Sequence, residues 1–269
     1  MQLIINNDAE LRRYIPNVLR EVKGEIPLFD KLHPFLEMAQ SWFCHHFAPA
    51  EMLERIPYAA DIIAIEAYRL AIPQLDLVLT PNGFATVGTQ NLSPASKMRV
   101  DRLVEGLLIE RDKAVGLLLP VLSSVEGWTE TPQGQWFGAT LFPDFSLIEA
   151  TGPVEGSKWE RYLQLRSQVI DLEASLAEEW LSPELMSALR AENLRSDLTG
   201  KRSEIVRQVK AQIVGYLKDG SFNSRRLADI VNPIRQDESA FKEWHGSDVA
   251  KLFAPPVFRN KKDSPGYFF

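Results

Sequence analysis

Cys44, His45 and His46 stand side by side and carry the side chains that most readily ligate a metal ion or act as a nucleophile. They lie in a stretch, Pro34 to Phe47, whose apolar residues recur at helical spacing. At about 100° per residue, Cys44 lies nearly opposite His46, so the two side chains do not converge on one ion. No His-x-x-x-His or Cys-x-x-Cys spacing completes a site. We therefore interpret the triplet as part of a core-facing helix and predict no metal site.

Two other groups could suggest catalysis. The stretch Ser93 to Lys97 contains two serines and a lysine, but a serine followed by proline is also a common helix start. Glu178 and Glu179 are adjacent carboxylates, which we interpret as a solvated helix face. The chain has no glycine-rich phosphate loop, G-x-S-x-G or H-E-x-x-H motif. We therefore predict that the protein is not an enzyme and has no cofactor.

Composition is that of an ordinary globular protein. The 269 residues are 45% hydrophobic and 25% charged, and the single cysteine is compatible with a reducing compartment. The first residues lack a basic leader followed by a long apolar run. The longest uncharged apolar stretch, Ala114 to Val125, is too short to span a bilayer. We expect a soluble protein without a membrane partner.

The net charge of −6 is unevenly distributed. Residues 96–200 carry 10 basic and 17 acidic side chains, whereas residues 201–269 carry 13 basic and 8 acidic ones. Only this last quarter could attract a polyanion, and its basic pairs are not surrounded by a nucleic-acid-binding motif. The charge pattern thus leaves open only a weak interaction with nucleic acid.

The strongest local signal is a predicted hairpin near residues 75–88. Its apolar flanks, Leu75 to Leu79 and Phe84 to Gly88, are expected to pair as short strands. Proline presets φ at the first corner of a type I turn, and asparagine and glycine tolerate the positive φ needed next. The candidate hairpin residues are Thr80, Pro81, Asn82, Gly83 and Phe84.

Helical periodicity dominates the rest of the chain, so the predicted fold class is mainly α, a helical bundle. We expect helices from Tyr58 to Ile72, ended by Pro73, and from Pro94 to Leu119. Arg111 falls in the middle of the apolar stripe of the second of these helices. Because an unpaired guanidinium is costly to bury, Arg111 should either meet carboxylates, carbonyls or a subunit boundary, or extend to solvent.

The chain divides into four predicted regions. A helical half with the hairpin (1–123) precedes a region rich in glycine and proline (124–156), then a second helical half (157–250) and an extended tail (251–269). Thr131-Pro132-Gln133-Gly134 could turn a second small hairpin near residues 128–141, or the region could be an irregular connector. In the second half, Pro233 is expected to interrupt a helix that starts at Asn223 or Ser224.

The tail combines prolines, basic residues and aromatic residues. Pro255-Pro256 should force an extended path, either as a solvated tail or as a peptide docked on a neighbouring subunit. Together with Arg111, the candidate interface residues are Phe258, Arg259, Lys261, Lys262, Tyr267, Phe268 and Phe269.

Two stretches carry a resemblance to a known family. They are Leu77 to Phe84 and Pro94-Ala95-Ser96-Lys97-x-Arg99-Val100, within a similar region from Ile63 to Leu108. This region resembles proteins encoded among the capsid and tail assembly genes of Bacteroidetes phages and prophages, the head-to-tail connector or adaptor family.

The resemblance implies a non-enzymatic virion component that forms a ring between portal and tail. Its implied partners are other copies of itself and the portal and tail proteins, first in the host cytoplasm and then in the virion. It transfers no catalytic residues. The alternative is an accessory DNA-packaging or nucleic-acid-associated factor that uses the basic last quarter of the chain.

Overall fold

A computed structural model describes residues 2–15, 26–75, 77–80, 83–86 and 96–254, with 77–80 and 83–86 as backbone. The described chain is mainly helical, as predicted. The helices are α1 (Asp8–Tyr14), α2 (Leu28–His46), α3 (Ala59–Leu75), α4 (Lys97–Leu122), α5 (Pro132–Gly138), α6 (Ser146–Thr151), α7 (Lys158–Leu176), α8 (Pro183–Arg195), α9 (Gly200–Asp219), α10 (Ser224–Gln236), α11 (Lys242–His245) and α12 (Asp248–Leu252). The other elements are 3-10 turns at Ala50–Arg55 and Trp128–Glu130, a π-helical turn at Ala177–Leu181, and strands β1 (Leu77–Thr80) and β2 (Gly83–Thr86).

Helices α2, α3 and α4 form one layer, with α3 packed against both neighbours. Trp128, which follows α4, donates its indole N–H to the carbonyl of Phe47, directly after α2, at 2.6 Å. The carboxyl ends of α2 and α4 therefore lie together. Because only a short 3-10 turn separates α2 from α3, α3 begins at that same end. At the opposite end of the layer α2 begins, α3 ends and α4 begins.

Four prolines lie inside described helices where the sequence predicted boundaries. Pro34 lies within α2, Pro73 within α3, Pro120 within α4 and Pro233 within α10. Each proline removes a backbone donor and crowds the preceding turn. At Pro34 and Pro233 the helix continues because buried residues hold both sides of the proline, as with the fully buried Leu32 and Leu36 around Pro34. Tertiary packing outweighs the local penalty at these two positions. Beyond Pro73, only two exposed residues of α3 remain.

The backbone between α3 and α4 includes an antiparallel pair of strands. Leu77 of β1 lies opposite Thr86 of β2, and Thr80 lies opposite Gly83. The predicted turn residues Pro81 and Asn82 lie outside the described residues, as do Ser93 and Pro94 at the predicted helix start. Helix α4 begins at Lys97, and the side chain of Ser96 before it makes no capping hydrogen bond.

The second predicted hairpin, near residues 128–141, is wrong. Its residues form the 3-10 turn at Trp128–Glu130 and helix α5. Thr131 accepts a hydrogen bond from the backbone N–H of Gly134 at 3.0 Å, and Pro132 occupies the first turn, where its missing N–H costs nothing. The residues that resemble a turn in the sequence instead start a helix.

Aromatic packing joins the two helical halves. Phe47 and Phe137 lie against Trp159 and Tyr162 of α7, with ring centroids 4.8 to 6.5 Å apart. All four side chains are almost completely buried. Face and edge contacts of this kind add to the stabilisation that comes from buried area. Among the described helices, none is both long enough and apolar enough to cross a bilayer.

Candidate functional site: two buried charged clusters

The Cys44-His45-His46 triplet does not form a site. Cys44 is half-buried near the end of α2, where burial raises the pKa of its thiol. The ring of His46 packs edge-on against Trp159 at 5.3 Å. Burial, and then the nearby His45 and Arg111, lower the pKa of His46 to about 4, so the imidazole is neutral at pH 7. Within the described residues, no group of three or more His, Cys, Asp or Glu side chains is placed to hold a metal ion.

Arg111 lies at the centre of a buried ionic cluster rather than at the solvent. Its side chain is 4% exposed. One guanidinium nitrogen, Nη1, donates to Oε2 of Glu66 at 3.1 Å. Nε and Nη2 donate to Oδ1 of Asp112 at 3.0 and 2.7 Å. The guanidinium also lies over the ring of Trp42, 5.1 Å from its centroid. Of the two alternatives predicted for Arg111, the structure therefore shows the carboxylate-paired one.

Ser157, the N-cap of α7, completes this cluster. Its hydroxyl accepts from Nη2 of Arg111 at 2.9 Å and donates to Oδ2 of Asp112 at 2.8 Å. The same hydroxyl caps α7 by accepting from the backbone N–H of Glu160 at 3.2 Å. Asp112 also accepts from the backbone N–H of Trp159 at 3.3 Å. We call Glu66, Arg69, Arg111, Asp112 and Ser157 the Arg111 cluster.

The charges of the Arg111 cluster balance. Arg69 donates to both oxygens of Glu66, at 2.8 and 2.7 Å, so two arginines face two carboxylates. Burial alone would raise the pKa of Glu66, but the hydrogen bonds from Arg69 and the charge of Arg111 lower it below its ordinary value. The hydrogen bonds to Glu66 are also the main cause that raises the pKa of Arg69.

Each carboxylate oxygen of Glu66 and Asp112 accepts a hydrogen bond from the chain itself. Asp112 also lines a cavity of about 510 Å³ beside α4 and the stretch before α7. What the cluster can do is fix three elements, α3, α4 and the start of α7, in one arrangement. A buried pair with its hydrogen bonds satisfied specifies geometry and is costly to break.

A second cluster lies in the other half of the chain around Glu173 of α7, which is fully buried. Its Oε1 accepts from the backbone N–H of Leu141 at 2.8 Å, and its Oε2 accepts from Nε of Arg190 at 2.6 Å. Burial raises the pKa of Glu173 above its ordinary value, and Arg190 and the Leu141 amide only partly oppose this effect. Glu173 and Arg190 therefore hold the stretch before α6 against α7 and α8.

Lys210 of α9 lies beside this second cluster and lines a cavity of about 210 Å³. Burial lowers the pKa of Lys210, and its ammonium donates to Oδ1 of Asn193 at 3.1 Å. The ammonium also lies 5.4 Å from the ring centroid of Phe142. Glu173 does not line the cavity, but Asp144 does. The charges of Asp144 and Glu173 oppose the lowering of the Lys210 pKa that burial causes. The cavity therefore brings a carboxylate and an amine to one lining.

The remaining predicted site residues are placed as follows. Thr80, Gly83 and Phe84 lie in the paired strands. Pro81 and Asn82 lie outside the described residues. So do the tail residues Phe258, Arg259, Lys261, Lys262, Tyr267, Phe268 and Phe269.

Sequence reasoning found Arg111 but missed its partners and all of the Glu173 cluster. A signal was available for Glu66, one of three charges in an otherwise apolar stretch of α3. For Ser157 the signal was weaker, because serine before a helix is common whether or not it also bonds to a distant arginine. No local pattern pairs Glu173 with Arg190, since they lie on different helices.

Residues 15–138 match a protein family described as a family of unknown function (DUF6712). The match spans α2 to α5 and includes Glu66, Arg69, Arg111 and Asp112, but it stops before Ser157. No curated protein matches the chain. No solved structure matches it.

Proposed function

We propose that the chain is a non-enzymatic structural protein of a phage or prophage particle, a head-to-tail connector or adaptor that forms a ring between portal and tail. Its partners are then other copies of itself and the portal and tail proteins. It is made in the host cytoplasm and ends in the virion. The proposal begins from the resemblance of residues 63–108 to that family.

The observation that best supports the proposal is that the buried charged side chains pair with one another and with backbone groups of the chain. In the Arg111 cluster, four charged side chains and a serine are satisfied by one another and tie three helices together. The two carboxylate oxygens of Glu173 likewise accept hydrogen bonds, one from Arg190 and one from a backbone amide. Such networks specify a single arrangement of helices, which suits a subunit that must present a fixed surface to its neighbours.

The proposal is tested in particles. If a phage or induced prophage that encodes the chain is purified, mass spectrometry should find it in complete virions at a fixed ratio to the portal protein. Deleting the gene should yield filled heads without tails, and supplying the protein in trans should restore tailed particles. Normal tailed particles from the deletion strain would refute a connector role.

The alternative, a DNA-associated factor that uses residues 201–269, receives less support from the structure. Carboxylates of the same chain already pair with several of these basic side chains: Lys201 with Asp237, Arg202 with Glu192 and Glu243, Arg207 with Glu204, and Lys251 with Asp248. A basic side chain that is already paired with a carboxylate contributes less to the affinity for a nucleic-acid phosphate. DNA binding that weakens steeply with salt and is lost with Arg225→Ala and Arg226→Ala would favour this alternative.

A further inference from the structure

An amine and a side-chain amide meet in the cavity beside α9. Nζ of Lys210, in α9, donates to Oδ1 of Asn193, near the end of α8, at 3.1 Å. Both residues line the cavity of about 210 Å³. The ammonium also lies over the ring of Phe142, but within the described part of the chain no carboxylate is ion-paired with it. The amide oxygen of Asn193 is therefore its one hydrogen-bond acceptor there.

Burial makes Lys210 a better nucleophile than a lysine at the surface. It withdraws the side chain from water and lowers its pKa, and the charges of Asp144 and Glu173 oppose this effect only in part. An amine attacks a carbonyl carbon in its neutral form, so a lowered pKa increases the reactive fraction at neutral pH. Lys218, two turns further along the same helix, is exposed to water and provides a comparison.

The carboxamide of Asn193 is held on both sides. Its Nδ2 donates to the carbonyl of Leu141 at 3.0 Å, while its Oδ1 accepts from Lys210. Leu141 is itself fixed, because its N–H donates to the buried carboxylate of Glu173 at 2.8 Å. The carbonyl carbon, Cγ, thus lies one bond beyond the oxygen that the amine already contacts. Holding two reacting groups together removes much of the entropic barrier to their reaction.

A carboxylate that could transfer protons lines the same cavity. Oδ1 of Asp144 accepts from the backbone N–H of Ser146 at 2.9 Å, and Oδ2 has no hydrogen-bond partner among the described residues. The exchange of one amide for another needs a group that takes a proton from the attacking amine and gives one to the leaving nitrogen. Apolar side chains, among them Leu119, Trp128 and Leu194, form much of the remaining lining and favour the neutral amine.

We propose that Lys210 and Asn193 join covalently, through an amide bond that links α9 to α8. The lone pair of Nζ attacks Cγ of Asn193, the Cγ–Nδ2 bond breaks, and ammonia leaves. Counted from the neutral amine, one proton passes from Nζ to the leaving nitrogen, carried by Asp144 directly or through one water. No further reactant is needed, and the reaction occurs once in each chain. This self-modification goes beyond the proposed function and does not depend on it.

The test is the mass of the full-length protein after prolonged incubation at neutral pH. Intact-mass spectrometry should give a value lower than the sequence mass by one ammonia. Trypsin should release a branched peptide in which residues 191–195 are joined to residues 208–218, because the amide at Lys210 blocks cleavage there. Lys210→Met and Asn193→Ala should keep their sequence masses. The matched control, Lys218→Met, should still lose ammonia.

A time course tests the proton transfer. Asp144→Asn should form the branched peptide about 100-fold more slowly than the wild type, and an equal rate would refute the role of Asp144. A folded wild type without the branched peptide overturns the proposal. So does an ammonia loss that is undiminished in Lys210→Met, because asparagine can also lose ammonia by forming a cyclic imide with its own backbone. Circular dichroism establishes that each variant is folded, and the wild-type peptide decides the question even where a variant is not.

Discussion

Replacing Arg111 with methionine tests whether the Arg111 cluster stabilises the fold. Methionine keeps much of the volume of the side chain but removes the charge and four hydrogen bonds. Removing one partner of a buried ion pair costs about 3–5 kcal/mol, because the other charge stays buried and unpaired. Here Glu66 keeps Arg69, and Asp112 keeps Ser157, so we expect the lower value, about 3 kcal/mol.

The assay is equilibrium unfolding in guanidinium chloride at neutral pH, followed by circular dichroism and tryptophan fluorescence. Lys113→Met is the matched control, two residues further along α4. Lys113 pairs with Glu110 at 2.6 Å, but the two side chains are 62% and 58% exposed, so we expect a change within about 0.5 kcal/mol. If Arg111→Met cost no more than Lys113→Met, the cluster would not stabilise the fold.

The difference in unfolding free energy between the wild type and Arg111→Met should depend on pH, because the carboxyl group of Glu66 titrates. Its folded-state pKa is lowered, so its stabilisation is fully present above the unfolded pKa and is lost as pH falls through the folded pKa. Arg111→Met removes part of the cause of that lowering. The stability difference between wild type and variant should therefore narrow as pH falls below the ordinary pKa of a glutamate.

Three further predictions concern other sites. Arg190→Met should cost about 3 kcal/mol because it leaves the fully buried carboxylate of Glu173 unpaired, and adding Glu173→Gln should recover part of that loss in the same unfolding assay. An NMR titration should give His46 a pKa of about 4. Because the folded-state pKa is lower than the unfolded one, the folded protein should lose stability as pH falls from about 6.5 toward 4, and His46→Gln should remove that loss. Gly134→Ala should destabilise the protein by about 1–3 kcal/mol or more, because the added Cβ would lie 2.2 Å from a backbone carbonyl oxygen. Gly106→Ala in α4 has open space around the added Cβ and should stabilise the protein by about 0.5–1 kcal/mol in thermal unfolding.

Much of the helical fold could be predicted from the sequence because each helix carries its own apolar periodicity. Ser182-Pro183 has the serine-proline order of a helix start, and Ser182 caps α8 by accepting from the N–H of Leu185 at 3.2 Å. Proline was a poorer guide. At Pro34 and Pro233 the local penalty is real, but the packing that outweighs it involves residues distant in sequence.

The candidate site was less predictable, for a related reason. Arg111 was noticeable because a charge interrupts an apolar stripe, and the structure confirms that it meets carboxylates. Its partners, however, are chosen by how α3, α4 and α7 pack, which is tertiary information. The same limit explains the error at Thr131-Pro132, since proline after threonine suits both a turn and a helix start.

The family match ends at Gly138, but the packing predicts that this is not a boundary of folding. A fragment of residues 1–138 lacks Ser157, which bonds to both Arg111 and Asp112, and lacks Trp159, which covers Phe47. It would therefore expose buried charges that have lost a partner and aromatic rings that are fully buried in the whole chain.

We expect the 1–138 fragment to lose the cooperative unfolding transition. Removing Trp159 and Tyr162 alone deprives the core of two large buried side chains, each contributing roughly 1.5–3 kcal/mol or more. The matched control is a fragment of residues 1–254, which keeps every contact of the two clusters. The measurement is thermal unfolding by circular dichroism together with limited proteolysis. A 1–138 fragment that unfolds cooperatively at the midpoint of the 1–254 fragment would show that the two halves fold independently, and the stabilising role assigned here to the Ser157 and Trp159 contacts would be wrong.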